Sequence, residues 1–198
     1  MDFAQVVGRR RMVRNYRPDP IAADKLERII RAARRAPSAG FSQGQSFLVV
    51  QQEELRRRIA EICGEPGYVV RGFDPWLSVA PVHVVCCTSE AAYHERYSEP
   101  DKRASEGRER QWPVPFWYVD AGCSLMLLLL AAVDEGLAAG FLGLSEPRTA
   151  DLKELLGIPE EVVPVGLVTL GMPAKDRRSS SLSRGWKDRD SVIRWERW

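Results

Sequence analysis

Two periodicities divide the apolar positions of this chain. Leu26, Ile29, Ile30 and Ala33 recur every three to four residues, while Arg28, Arg31, Arg34 and Arg35 take the other faces. That spacing predicts an amphipathic helix over Lys25–Ala36, with Asp24 as its N-cap and Pro37 as its stop. Leu55, Ile59 and Ile62 give a second such stripe, over Glu53–Cys63, and Phe3, Val6 and Val7 a short one over 2–8, stopped by Gly8. Three short apolar runs bounded by turn formers read as strands: Phe47–Val50, Val82–Cys87 and Val162–Leu170, the last ended by Gly171 and Pro173. A further segment, Pro115–Glu135, obeys neither pattern, because Ala121–Val133 is apolar almost all round. A helix without a polar face belongs at the centre of a protein or in a subunit interface, and Gly136 supplies its stop. Arg148–Leu156 reads as a surface helix closed by Gly157.

Between these elements lie a turn-rich stretch, Gly64–Ser78, a polar stretch over 88–112 expected to be an irregular, mobile surface excursion, and a short glycine-flanked segment, Gly140–Leu144. From 174 to 198 the chain is polar and basic but carries Trp186, Trp195 and Trp198. Tryptophans in such a tail imply that it packs on something, a second subunit being the natural candidate. With no repeat and no composition break, 1–198 is expected to be a single α+β domain: a small, mainly antiparallel sheet flanked by helices.

Composition narrows the function classes. The chain has 198 residues, 44% of them hydrophobic, and its 29 basic and 27 acidic residues leave a net charge of only +2. That balance argues against a dedicated nucleic-acid binder, whose basic excess would be large. The longest apolar run, Leu125–Val133, is short of a membrane span, and the charged first residues do not form a signal peptide. Cys63, Cys86, Cys87 and Cys123 show neither a C-x-x-C pair nor a disulfide framework, so we expect buried or free thiols in a reducing cytoplasm. The two histidines, His83 and His94, and the scattered cysteines have no metal-ligand spacing. No G-x-S-x-G, P-loop or G-x-G-x-x-G occurs. If the protein is an enzyme, a cofactor carries the chemistry and no side chain need be catalytic.

The chemistry-bearing stretches are basic segments and small-residue loops. Arg9, Arg10, Arg11 and Arg14 lie within six residues. Guanidinium forks suit a phosphate, though the cluster also reads as a solvated basic arm. Ala36-Pro37-Ser38-Ala39-Gly40-Phe41-Ser42-Gln43 is a loop that lets backbone approach a flat ligand, or a plain turn. Gly140-Phe141-Leu142-Gly143 follows, and then the late cations Arg177, Arg178, Arg184 and Lys187.

In that order these stretches resemble the flavin-dependent nitroreductase family along nearly the whole chain. Arg10–Tyr16 looks like its R-R-S-x-R-x-[FY] motif, and Ala36–Gln43 like its A-P-S-x-x-N-x-Q motif. Asp120–Gly143 is similar to its core helix and G-L-x-x-x-[FW]-[IL]-G segment, and Val162–Pro173 to its L-G-x-P strand. The resemblance implies a nitroreductase-like fold: a homodimer with a long buried central helix at the interface and FMN in clefts between subunits. It implies that Arg10, Arg11, Met12 and Arg14, with Arg184 or Lys187, meet the FMN phosphate and ribityl chain. Pro37, Ser38, Ala39 and Gln43 would line the isoalloxazine from the other subunit, while Leu142 and Gly143 reach flavin N5. The implied activity is hydride transfer from NAD(P)H through the flavin to a small acceptor such as a nitroaromatic or quinone. The same scaffold also supports metabolite dehydrogenation, flavin fragmentation, or flavin binding without turnover. The chain departs from the pattern at Met12, where a hydroxyl is usual, at Phe41, where asparagine is common, and at Gly44-Gln45, which replaces proline-tryptophan.

Overall fold

The computed structural model describes residues 1–102, 112–177 and 179–198. Its centre is a five-stranded sheet among the described residues. The long strand β5 (Val163–Pro173) pairs with β3 (Val82–Thr88) on one side and β4 (Ala138–Gly143) on the other. Outside β3 lies β2 (Gln45–Val50), and the short β1 (Tyr16–Arg17) pairs with the end of β5 at Pro173 and Met172. All these pairings are antiparallel.

Helices cover both faces. On one, Leu26, Ile29 and Ala33 of α2 (Ala23–Ala33) and Leu128, Leu129 and Ala132 of α6 (Phe116–Asp134) pack on Val82, Val84, Cys86 and Val168. On the other, Ile59 and Ala60 of α3 (Glu53–Ile62) and Leu152 of α7 (Glu146–Leu156) pack on Val85, Cys87 and Leu167. The strand period of two sends neighbours such as Cys86 and Cys87 to opposite layers. Burial on both faces is why β3 and β5 read as continuous apolar runs rather than as alternation.

Several expectations change in detail. The N-terminal helix α1 (Phe3–Arg9) runs through Gly8, and of its apolar residues only Val6 is buried, Phe3 and Val7 facing outward. Ala22, not Asp24, is the N-cap of α2; Asp24 lies in the first turn and pairs with Arg28 at 2.9 Å. The Gly64–Ser78 stretch holds a helix, α4 (Glu65–Val70), and the Gly140–Leu144 segment belongs to strand β4. Most of the described part of the expected irregular excursion is helix α5 (Glu90–Ser98), which buries a single residue, Tyr93. One buried position in nine leaves no apolar stripe for a periodicity to show. The remainder of that excursion, 103–111, lies outside the described residues, as does Arg178.

Helix α6 is only half in the core. One side is in the core, while Val119, Cys123 and Met126 are exposed along the opposite side, at helical spacing. It is 19 residues long, and an 18-residue window of it has a mean hydropathy of 1.8, long and apolar enough to cross a bilayer, contrary to the short-run argument. In this fold its buried side packs against α2 and the sheet.

Candidate functional site at the two ends of the sheet

After α1 the chain runs extended along the outer edge of β4. Met12 forms a parallel bridge with Ala139, and the Val13 N–H donates to the Ala139 carbonyl at 3.0 Å. Tyr16 pins the segment from below: its hydroxyl donates to the Val13 carbonyl at 2.7 Å and lies 2.8 Å from Thr169 Oγ1. Burial pushes that phenol well above its usual range, so it stays protonated. The backbone is tied on its other side by the Arg14 N–H, which donates to Asp176 Oδ2 at 2.9 Å. Asn15 Nδ2 donates to the Lys175 carbonyl at 2.8 Å.

The side chains, by contrast, are open. Alternation along the extended segment separates Arg11 from Arg10, Met12 and Arg14. Arg9 and Arg11 line a cavity of about 350 Å³ with Val133, Leu137, Ala139 and Pro173, while Arg10, Met12 and Arg14 do not line it. The Arg14 guanidinium lies over Trp76, 5.8 Å from the ring centroid. Trp76 is buried, and its backbone N–H donates to the Glu65 carboxylate at 2.7 Å. Among the described residues no carboxylate pairs with Arg10, Arg11 or Arg14, whereas Arg17 pairs with Asp19 at 3.2 Å. Met12 offers this edge no side-chain hydrogen-bond donor.

The small-residue loop inverts this arrangement. Pro37 is exposed at its start, and the Ser38 hydroxyl accepts from the Gln43 N–H at 2.9 Å. The Phe41 N–H donates to the Ser38 carbonyl at 2.9 Å, and the Ala39 carbonyl accepts from Ser42 Oγ at 2.6 Å. From outside the loop, the buried carboxylate of Asp120 on α6 accepts from the Ala39 N–H and the Tyr93 hydroxyl through one oxygen, each at 2.8 Å. Arg96 Nε donates to the Gly40 carbonyl at 2.9 Å and is itself gripped by Asp101. Helix α5 also presses on the loop where side chains are missing. A Cβ on Gly40 would come 2.7 Å from the Tyr97 ring, and one on Gly44 2.6 Å from the Tyr93 ring. So braced, the loop holds Phe41 at φ +59° and Gln43 at φ +51°. The left-handed region costs an ordinary L-residue roughly 1–2 kcal/mol. Phe41 is nevertheless 71% exposed.

The two stretches occupy diagonal corners of the sheet. Met12 and Val13 lie outside β4 at the level of Leu170, and the loop enters β2 at Gln45, level with Val163. Four strand spacings by seven residues of strand put them on the order of 30 Å apart. One chain therefore does not bring its Arg10–Arg14 segment and its Pro37–Gln43 loop to one small ligand. Between them, Leu142 is half-buried and Gly143 is exposed at the end of β4, opposite Gly166. Arg184 and Lys187 are exposed in the tail, which starts beside Asn15 but extends beyond it. Leu182, Trp186, Trp195 and Trp198 are exposed there too.

An antiparallel sheet between helical layers, with a basic segment at one corner and a braced small-residue loop at the other, defines a class of α+β proteins. The model of the Nitroreductase family matches residues 7–172, and the chain belongs to that family. A protein of Archaeoglobus fulgidus, provisionally named an NADH dehydrogenase/NAD(P)H nitroreductase, is 31% identical over 170 residues, covering 85% of this chain and 83% of its own. The FMN reductase [NAD(P)H] of Bacillus subtilis is 29% identical over 83% of this chain, which spans 63% of that longer protein. Among solved structures, a nitroreductase family protein of Clostridium difficile 630 covers 100% of both chains with a TM-score of 0.72 at 19% identity. Nitroreductase A of Vibrio parahaemolyticus gives 0.74 at 24% identity, over 98% of this chain and 75% of its own. At such identities these structures speak to the fold alone.

Several residues that build the site were not singled out from the sequence: Trp76 under Arg14, and Asp120, Tyr93 and Arg96 behind the loop. Asp120 had a legible signal, being the only charged residue in Phe116–Val133. A lone carboxylate in an apolar helix has to be paired or hydrogen-bonded.

Proposed function

We propose that the protein is an FMN-dependent oxidoreductase that takes hydride from NAD(P)H and passes electrons to a small acceptor such as a nitroaromatic or quinone. The observation that carries this reading is the family match, which spans both the arginine segment and the braced loop. Relatives named as an FMN reductase and an NAD(P)H nitroreductase support the cofactor and the donor.

The residues fit such a cofactor. Arg10 and Arg14 present guanidinium groups without carboxylate partners among the described residues, on a backbone fixed at both sides. They would hold the phosphate, with Arg184 or Lys187 of the tail, and charge-assisted forks are the strongest groups available for that task. Arg11 faces the neighbouring cavity, and Met12 contributes backbone only. Pro37, Ser38, Ala39 and Gln43 would line the ring system from a second copy, and Leu142 and Gly143 would offer strand-end backbone beside it. FMN, when bound, supplies the hydride-accepting chemistry, and the protein's groups set position and access.

The second copy is part of the proposal. The roughly 30 Å between the two corners of one chain is spanned if two chains meet across the open side of α6, where Val119 and Met126 lie bare. The tail, with its exposed tryptophans, would wrap the partner as part of a single domain. We also propose a cytoplasmic location, because four free thiols suit a reducing compartment.

The purified protein should be yellow or become so with added FMN. It should bleach anaerobically with NADH or NADPH and recolour on adding an acceptor. A preparation that takes up no FMN contradicts the proposal. Bleaching with neither nicotinamide would leave flavin binding but transfer the chemistry to another reaction of the scaffold.

A further inference from the structure

Phe41 combines two unfavourable features that ordinary folding would remove. Its backbone is in the left-handed region, which favours glycine and asparagine, and its phenyl ring is mostly in solvent. A strained residue persists only where its surroundings over-determine it. Here they do. The residues on either side are fixed by the Arg96–Gly40 and Asp120–Ala39 bonds, by the turn bonds of Ser38 and Ser42, and by the Tyr97 ring against Gly40. None of this bracing touches the ring, which the chain neither buries nor pairs with another aromatic among the described residues.

We propose that Phe41 is the residue by which this loop recognises the flavin ring system: the bracing holds its phenyl group outward to pack against the isoalloxazine in the cleft completed by a second copy. The inference rests on the FMN reading above. It assigns the loop an apolar aromatic contact, and separates recognition of the ring at this corner from recognition of the phosphate at Arg10 and Arg14. A ring contact is indifferent to the phosphate, so riboflavin and FMN should sense Phe41 equally.

The test titrates FMN and riboflavin into the full-length apoprotein of the wild type, Phe41→Gly and Phe41→Tyr, by flavin absorbance, with apo melting temperature and oligomeric state measured alongside. Glycine takes φ +59° without strain, so the apo Tm of Phe41→Gly should not fall. Its affinity for both flavins should weaken by the same factor, roughly tenfold for a lost aromatic contact, while Phe41→Tyr keeps wild-type affinity. Unchanged affinity in Phe41→Gly, a loss confined to FMN, or a loss that follows dissociation of the dimer each overturns the inference while leaving the FMN reading in place. A wild type that binds neither flavin overturns both.

Discussion

At the arginine corner the backbone is tied down without left-handed residues and the side chains are open; at the loop corner the backbone is strained and side chains of α5 and α6 brace it. Arg10–Arg14 lies along β4 through the bonds of Val13 to Ala139 and of Arg14 to Asp176, 162 positions away, with the Tyr16 hydroxyl on the Val13 carbonyl, and holds no residue at positive φ. The Ser38–Gln43 loop holds left-handed residues through Asp120, 81 positions away from Ala39, and Arg96, 56 away from Gly40. The difference follows from the ligand part each corner would serve. A phosphate is met by charge, and mobile guanidinium groups reach it from a fixed base. A planar ring has no charge to seek, so its contacts must be preorganised in shape, which costs backbone strain.

That contrast is open to breakage. The largest effect is expected at the arginine corner: Arg10→Ala or Arg14→Ala should weaken FMN binding roughly 10- to 100-fold, the scale of a hydrogen bond to a charged group. Riboflavin affinity and Tm should be spared, and Arg17→Ala, whose cation already pairs with Asp19, should do nothing comparable. Equal losses for Arg10→Ala and Arg17→Ala in a flavin titration would erase the division of the cluster.

For the residues that brace the loop corner the order of effects reverses, with stability affected before affinity. Asp120→Ala strands the Ala39 N–H and the Tyr93 hydroxyl away from an acceptor, at a cost of about 1–3 kcal/mol each where they stay dry. Thermal melts should show a clear fall in Tm, with flavin affinity lowered for FMN and riboflavin alike. Tyr93→Phe removes one of the two bonds and should fall between the two. An unchanged melt for Asp120→Ala would mean that the loop is not braced as described.

The same contrast explains how much of the molecule was readable from its sequence. Helix α2 was legible because Leu26, Ile29 and Ala33 form a stripe, and β3 because Val82–Cys87 is a short β-branched run. Strand β4, AAGFLG, was not, since two glycines and no β-branched residue give it little strand propensity. Its state is imposed by pairing with β5, a non-local contact. Of the site, the ligand-facing candidates could be named by resemblance, but Trp76, Tyr93 and Arg96 could not. Nothing in their local sequence marks a residue that acts by touching another loop 56 positions away. The strain at Phe41 was equally hidden, because a backbone dihedral leaves no trace in residue type when the residue is the wrong type for it.

The central claim is that one cleft takes its arginines from one copy and its loop from another. Mixing subunits tests it directly. Arg10→Ala/Arg14→Ala and a loop variant, Gly40→Leu, which would drive a side chain into Tyr97, should each lose FMN as homodimers. Unfolded and refolded together, they should form a heterodimer in which one cleft is intact, restoring FMN to one site per mixed dimer. Mixed dimers that assemble and bind no FMN would contradict the account.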